Sequence, residues 1–260
     1  MQKTKKIVLV VIVLSILSII YLFIWHFRSQ PNTNKLPKIM LWAWERSENL
    51  MFIDSKSTGV AFLAKTVLLK EDKVEIRPRL QPLAVPPNTV LVAVVRIETS
   101  LQQPPKLSEE QLKQTIKAIK SVTKLNIVGL QIDFDAKLSE RKFYKELLEK
   151  LRLELPKNYL LSITALASWA MYDNWIADLP VDEAVPMLFS LGVEKQQVLS
   201  YLAAKKDFRT KNTQTSIGIS TSEDLPWLPA ERRIYIFANQ SWSEQLLKDV
   251  LQKVEKWQTK

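Results

Sequence analysis

The chain has no cysteine, one histidine and only four glycines among its 260 residues. Without thiols there are no disulfides, thiolate zinc sites or cysteine nucleophiles. The lone histidine, His26, lies beside a long apolar run near the N-terminus, so the globular part has no imidazole. Ser-His-Asp catalysis, histidine-ligated zinc and histidine general bases are excluded there. Proton transfer falls to carboxylates, lysines and tyrosines. The glycines (Gly59, Gly129, Gly192 and Gly218) are too scattered to form a phosphate-cradling loop. This sets aside nucleotide enzymes of the P-loop and dinucleotide-binding types.

Charge of one sign is also scarcer than it first looks. The formal net charge is +10, but six of the 37 basic residues fall in positions 1–38, where no acid occurs. The remainder carries 31 basic against 27 acidic residues, too mild an excess to argue for a nucleic-acid partner.

What the N-terminus does have is a charge-free run over residues 7–25, IVLVVIVLSILSIIYLFIW. As a helix it spans ~28 Å against a hydrocarbon core of ~30 Å. Ser15 and Ser18 are too few for the polar stripe of a buried core helix. Lys3, Lys5 and Lys6 precede the run, Tyr21 and Trp25 sit where interfacial aromatics belong, and no small-x-small cleavage site lies beyond it. The pattern predicts an uncleaved signal anchor, with a cleaved signal peptide as the alternative. Arg28, Lys35 and Lys38 on the far side balance the three leading lysines, yet so short a basic N-terminus favours export of the large C-terminal part. The expected organisation is a membrane anchor over 1–28, a polar linker over 29–38 and a globular domain over 39–260. The expected protein is single-pass in the inner or cytoplasmic membrane, with its soluble domain periplasmic or extracellular.

From residue 39 onward, strand-like runs recur at 39–44, 59–64, 90–97, 127–134, 160–166, 183–189, 215–220 and 233–238. Helical segments lie between most of them, clearest at 108–123, 139–155 and 241–257. Two are opened by the capping-box patterns Ser108-Glu109-Glu110-Gln111 and Ser241-Trp242-Ser243-Glu244. Eight strands alternating with helices predict an α/β fold, a TIM (β/α)8-like barrel. After the second strand, residues 66–83 with a polar turn at 70–73 predict a β-hairpin in place of the expected helix.

The barrel reading directs attention to strand C-termini, where active sites of this fold gather. The fourth strand ends GLQIDFD, residues 129–135, with polar groups at every second position. Gln131, Asp133 and Asp135 therefore share one face, while Leu130, Ile132 and Phe134 supply the other. Two carboxylates ~6.8 Å apart along a strand and partly shielded raise one another's pKa, as an acid pair requires. The structural alternative is a strand end that caps the next helix or pairs with an arginine. Arg96 and Glu98 end the neighbouring third strand on one face, so Arg96 can hold one aspartate ionised. Trp44 and Glu45 end strand one, Trp169 strand five, and Asn239 and Trp242 strand eight. The tryptophans suit sugar stacking or barrel-end packing equally.

The GLQIDFD strand resembles the DGxDxDxE strand of family 18 glycoside hydrolases, the chitinase-like TIM barrels. In that register Gln131 replaces the first strand aspartate. Asp133 matches the aspartate that positions the substrate acetamido group, and Asp135 stands at the acid glutamate. Met187 and Phe189, in VPMLFS, are similar to the sixth-strand Met-x-Tyr motif without the hydroxyl. A resemblance over nearly the whole soluble part is carried by LWAWER, GVAFLA, PRLQPL, VVRIE, GLQIDFDA with SER, LSITALASW and LPVDEAVPMLF. These segments are similar to a bacterial family known only as a domain of unknown function, and imply a TIM-like barrel in an envelope-associated protein.

Together these readings predict a membrane-anchored, glycoside-hydrolase-like protein acting on an envelope or extracellular glycan, with no cofactor or resident metal. Asp135, Asp133 and Glu98 are the catalytic candidates, and Glu45 is a second possible partner carboxylate. Trp44, Glu45, Arg96, Gln131, Trp169, Met187, Phe189 and Asn239 are the substrate-binding candidates. A noncatalytic glycan-binding or scaffold barrel is the alternative. A Mg²⁺ or Ca²⁺ site on Asp133, Asp135 and Glu98 is a third reading.

Overall fold

The computed structural model describes residues 36–156 and 158–259. The expected anchor over 1–28 and the linker up to residue 35 lie outside the described residues. Among the described residues no helix is long and apolar enough to cross a membrane.

The strands, in chain order, are β1 (Ile39–Ala43), β2 (Glu48–Asn49), β3 (Thr58–Lys70), β4 (Lys73–Pro78), β5 (Leu83–Ala84) and β6 (Leu91–Thr99). They continue with β7 (Gly129–Asp133), β8 (Leu160–Leu166), β9 (Glu183–Met187), β10 (Ser216–Ser220) and β11 (Arg233–Phe237). Eight of them, β1, β3 and β6 to β11, pair in parallel around a ring. The ring closes because β1 pairs with both β11 and β3. This is the TIM-like barrel the alternation predicted, with all eight expected strands in place. The five α-helices among the described residues are α1 (Glu109–Lys120), α2 (Arg141–Glu154), α3 (Ala167–Met171), α4 (Lys195–Ala203) and α5 (Glu244–Thr259).

Period-2 alternation separates the packing layers. Met40, Trp42, Ala61, Val94, Val185 and Tyr235 fill the barrel interior, whereas their chain neighbours Leu41, Val60, Val95, Ala184 and Ile236 join two outer clusters. The helices bury their apolar stripes in those outer clusters, as α2 does with Phe143, Tyr144, Leu147, Leu148 and Leu151. Gly129 lets β7 lie close to β8: a Cβ there would stand 2.3 Å from Leu160 Cβ and 2.6 Å from its carbonyl oxygen.

The predicted hairpin is present. β3 runs on past the barrel, and β4 folds back antiparallel to it with Lys70 opposite Lys73. A bulge shifts the register of β3 on β6 between Leu63 and Lys65, and the two strands stay paired beyond it to Leu69 and Thr99. The hairpin is fastened to α1 by Gln111 Nε2, which donates to the Lys73 carbonyl at 3.0 Å. The same Gln111 completes the expected capping box with Ser108.

One local expectation is corrected. The helix expected from Ser241 begins at Glu244, and its capping hydroxyl is that of Ser243, which accepts from the Leu246 amide at 3.2 Å. The Trp242 amide is instead taken by the Glu48 carboxylate at 3.0 Å. The helices α3 and α4 lie outside the three helical segments that are clearest in the sequence. α3 is barely more than one turn, and α4 buries only Val198 and Leu202, so neither gives a periodic signal of useful length.

Candidate functional site

The interior face of β7 carries Gly129, Gln131 and Asp133 in ascending order toward the C-terminal mouth. Gln131 is fully buried. It accepts from Trp42 Nε1 at 2.7 Å and donates to Ser162 Oγ at 3.2 Å. One step higher, Asp133 reaches the mouth with 8% of its surface exposed. Thr164 Oγ1, on the adjoining β8, donates to Asp133 Oδ1 at 2.7 Å. Arg96 Nε stands 4.0 Å from the other carboxylate oxygen. Burial, then the nearby Asp135 charge, pushes the Asp133 carboxyl up to about 6, against the opposing effects of Thr164 and Arg96. Asp135, two residues on, is open to water at the cleft. The protein crowded around it still raises its carboxyl through lost solvation, while Arg96 pulls the other way.

Both aspartates line a cavity of about 280 Å³. Its walls are largely aromatic: Trp42, Trp44, Phe189 and Phe237, with Met187 among them. Phe189 and Phe237 stack with centroids 5.5 Å apart and 3° between planes, and Trp42 meets Phe189 edge-on at 5.9 Å. Trp42 fits across the barrel because β10 offers Gly218 beneath it; a Cβ there would lie 2.8 Å from the indole ring. Trp44 is set from outside the barrel. The Arg79 guanidinium, just past the hairpin, donates to the Trp44 carbonyl and, at 2.6 Å, to the Arg46 carbonyl. The Trp44 ring then stands 5.8 Å from the Arg96 guanidinium carbon. An acid pair of unequal exposure beside apolar ring faces can bind a polyhydroxylated ring by stacking and deliver a proton at its edge.

The structure does not gather every candidate here. Gln131 lies below the cavity in the barrel core, out of a ligand's reach, because two residues down a strand is one full layer deeper. Glu98 does not line this cavity: Arg96 Nε at 3.0 Å and Arg77 Nη2 at 2.7 Å hold its carboxylate on the other side of the aspartates. Glu45 is exposed and lines a separate depression beside the hairpin. Trp169 is buried in the outer core, edge-on to Trp175 at 4.8 Å, because α3 turns it away from the mouth. Asn239 lies at the exposed rim, where its amide donates to Ser222 Oγ at 2.7 Å. Trp242 is likewise core, donating from Nε1 to the Trp42 carbonyl at 3.0 Å. Among the described residues no group of three or more histidine, aspartate or glutamate side chains is arranged to hold a metal ion.

Part of this site lies in a segment that matches a known family. Residues 87–192 match the family described as Domain of unknown function (DUF3142). The DUF3142 match runs from the approach to β6 to just beyond β9, so it contains Arg96, Asp133, Asp135, Thr164, Met187 and Phe189. Among curated proteins none matches the chain. Among solved structures the chain is similar to a Streptomyces coelicolor protein described as "putative Chitinase A". That likeness has a TM-score of 0.55 at 10% identity and covers 84% of this chain and 98% of that one. Two further likenesses are a chitinase from Rhizomucor miehei (TM-score 0.45, 10% identity, 71% of this chain and 69% of that one) and the Bacillus cereus spore cortex-lytic enzyme SleL (TM-score 0.44, 14% identity, 70% of this chain and 50% of that one). The likeness to the Streptomyces coelicolor protein shows a shared TIM-barrel fold.

Inside and beyond the matched segment, the structure adds cleft residues that the sequence did not point to. Thr164 was visible as the polar partner in the alternation Ser162-Ile163-Thr164, and the β7–β8 register sets it beside Asp133. Glu194 also lines the cavity. It ends a 3-10 turn, Gly192–Glu194, between β9 and α4, and no local signal connects it to the strand-end aspartates. Phe237 had an aromatic strand end as its only signal.

Proposed function

We propose that the barrel is a carbohydrate-active, glycoside-hydrolase-like protein whose substrate is an envelope or extracellular glycan. The observation that carries this reading is the pairing of buried Asp133 with accessible Asp135 in an aromatic-walled cavity at the barrel's C-terminal mouth. Asp135 acts as general acid: its proton passes to the glycosidic oxygen as the bond from that oxygen to the sugar carbon breaks. Asp133 orients the sugar and stabilises the positive charge that develops on its ring. Water then adds to that carbon, and Asp135 takes up the water's proton. Trp44 and the Phe189–Phe237 stack hold the ring faces, and Arg96 tunes the acid pair. The reading includes anchoring by residues 7–25, with the barrel outside the cytoplasm.

A second reading, binding without hydrolysis, is favoured by two particulars. Asp135 is one carbon-carbon bond, ~1.5 Å, shorter than the glutamate of the chitinase-like motif it resembles. Phe189 brings no hydroxyl to the cleft. A panel of defined glycans separates the two readings. Turnover that falls about 10²-fold or more in Asp135→Asn, with binding retained, supports hydrolysis. Turnover that Asp135→Asn leaves intact overturns the assigned mechanism, and binding with no turnover in the natural chain supports the scaffold.

A further inference from the structure

The cleft continues past the aspartates. A second cavity, about 340 Å³, includes Leu68, Glu98, Thr99, Leu101 and Lys137 in its wall. It shares Arg96, Asp133 and Asp135 with the aromatic cavity. The acid pair therefore stands at the junction of two recesses rather than at the end of one. Their chemistries differ. The first offers aromatic faces. The second offers a carboxylate acceptor on Glu98, a hydroxyl on Thr99 and an ammonium donor on Lys137, above an apolar strip of Leu68 and Leu101. Donors and acceptors are mixed and neither sign dominates, which suits the hydroxyl-bearing edge of a neutral sugar better than an anion. Glu98 is held in place by Arg77 and Arg96, so it is presented without rearrangement. Lys137 is half-exposed and 3.7 Å from Glu140, a long contact that leaves its donors available.

From this junction we infer that the ligand is a saccharide of at least two units that spans both recesses. One ring stacks in the aromatic recess, the next is hydrogen-bonded by Glu98, Thr99 and Lys137, and the linkage between them lies over Asp133 and Asp135. The inference rests on the glycan reading above and narrows it. The substrate class becomes an oligomer or polymer processed at a bond between sugars, and Glu98 becomes a specificity residue on the far side of that bond instead of a catalytic carboxylate. A monosaccharide fills the aromatic recess alone and forgoes the polar contacts. Hydrogen bonds to charged groups let the second ring add roughly 10- to 100-fold in affinity.

The test is calorimetric titration of the full chain with two size ladders of one to six units: β-1,4-linked N-acetylglucosamine and β-1,4-linked glucose. The expected result is a rise in affinity of about tenfold or more between one unit and the first length that crosses the junction, then a plateau. Lys137→Met and Glu98→Gln should each compress that oligomer-to-monomer ratio several-fold. Trp44→Ala should weaken every length, including one unit. Lys137 is a surface residue, so its variant also controls for folding. Affinity independent of length, or an unchanged ratio in both polar variants while sugars still bind, overturns the two-recess inference and leaves the glycan reading standing. No binding at any length in either ladder overturns both.

Discussion

Thr164 and Asp133, on neighbouring barrel strands, are joined by a 2.7 Å hydrogen bond in which the hydroxyl donates to the carboxylate. Among the described residues it is the one short polar contact to an otherwise desolvated acid at the mouth, since Arg96 stands back at 4.0 Å. The hydroxyl favours the charged form and the burial opposes it, so the balance between them places the carboxyl at about 6 instead of lower or far higher.

Removing that hydroxyl should therefore move the titration of Asp133 upward. In Thr164→Val the shape is kept and the donor lost, and the midpoint tracked by carboxyl-carbon NMR should rise above the natural chain's. A midpoint that stays put or falls would show that the contact does not stabilise the carboxylate.

Asp133 should also cost the fold stability at neutral pH. Its carboxyl is raised from 3.8 to about 6 in the folded chain, so the folded state keeps a proton that the unfolded state releases. The associated stability is fully present below 3.8 and lost as pH rises through about 6. Asp133→Asn has no proton to lose. Relative to that variant, the natural chain should lose on the order of 2–3 kcal/mol between pH 4 and pH 7, measured by urea unfolding at each pH. Parallel pH profiles for the two proteins would contradict the assignment.

Deeper in the barrel, Glu183 accepts from Arg233 Nη1 at 2.9 Å and from the Tyr235 hydroxyl at 2.6 Å. Glu183→Ala removes a fully buried carboxylate that also accepts from Ser162 Oγ, and should destabilise the chain by ~3–5 kcal/mol. Glu183→Gln retains an acceptor and should cost less. Denaturant midpoints that do not separate the two variants would show that the charge is not what matters.

Residues 7–25 should place the barrel outside the cytoplasm, since the short Lys3-Lys5-Lys6 segment stays inside. An alkaline phosphatase joined after Lys260 should be active and a cytoplasm-dependent fluorescent reporter at the same place dark. The reverse pattern would overturn export.

Apolar runs of strand length, separated in most cases by helical segments, were enough to identify the eight strands, because barrel strands are buried on both faces. Alternation put Gln131, Asp133 and Asp135 on one side of β7. The hairpin was legible from a polar turn between two apolar runs, and the first capping box from the geometry that Ser108 and Gln111 alone dictate. Depth was not legible. Period 2 assigns Gln131 and Asp133 the same face, but only the position of β7 relative to Trp42 and Ser162 sinks one into the core and lifts the other to the mouth. Direction after a strand end was not legible either. The single turn of α3 carries Trp169 outward, and a turn that short leaves no pattern to read. Partners distant in sequence were beyond reach for the same reason. Local residue types fix local geometry, whereas Thr164 beside Asp133, Glu194 on the cleft wall and Arg79 under Trp44 come from strand register and loop packing. The sequence determined which residues could face the barrel's interior. Closure of the eight strands decided which of them meet.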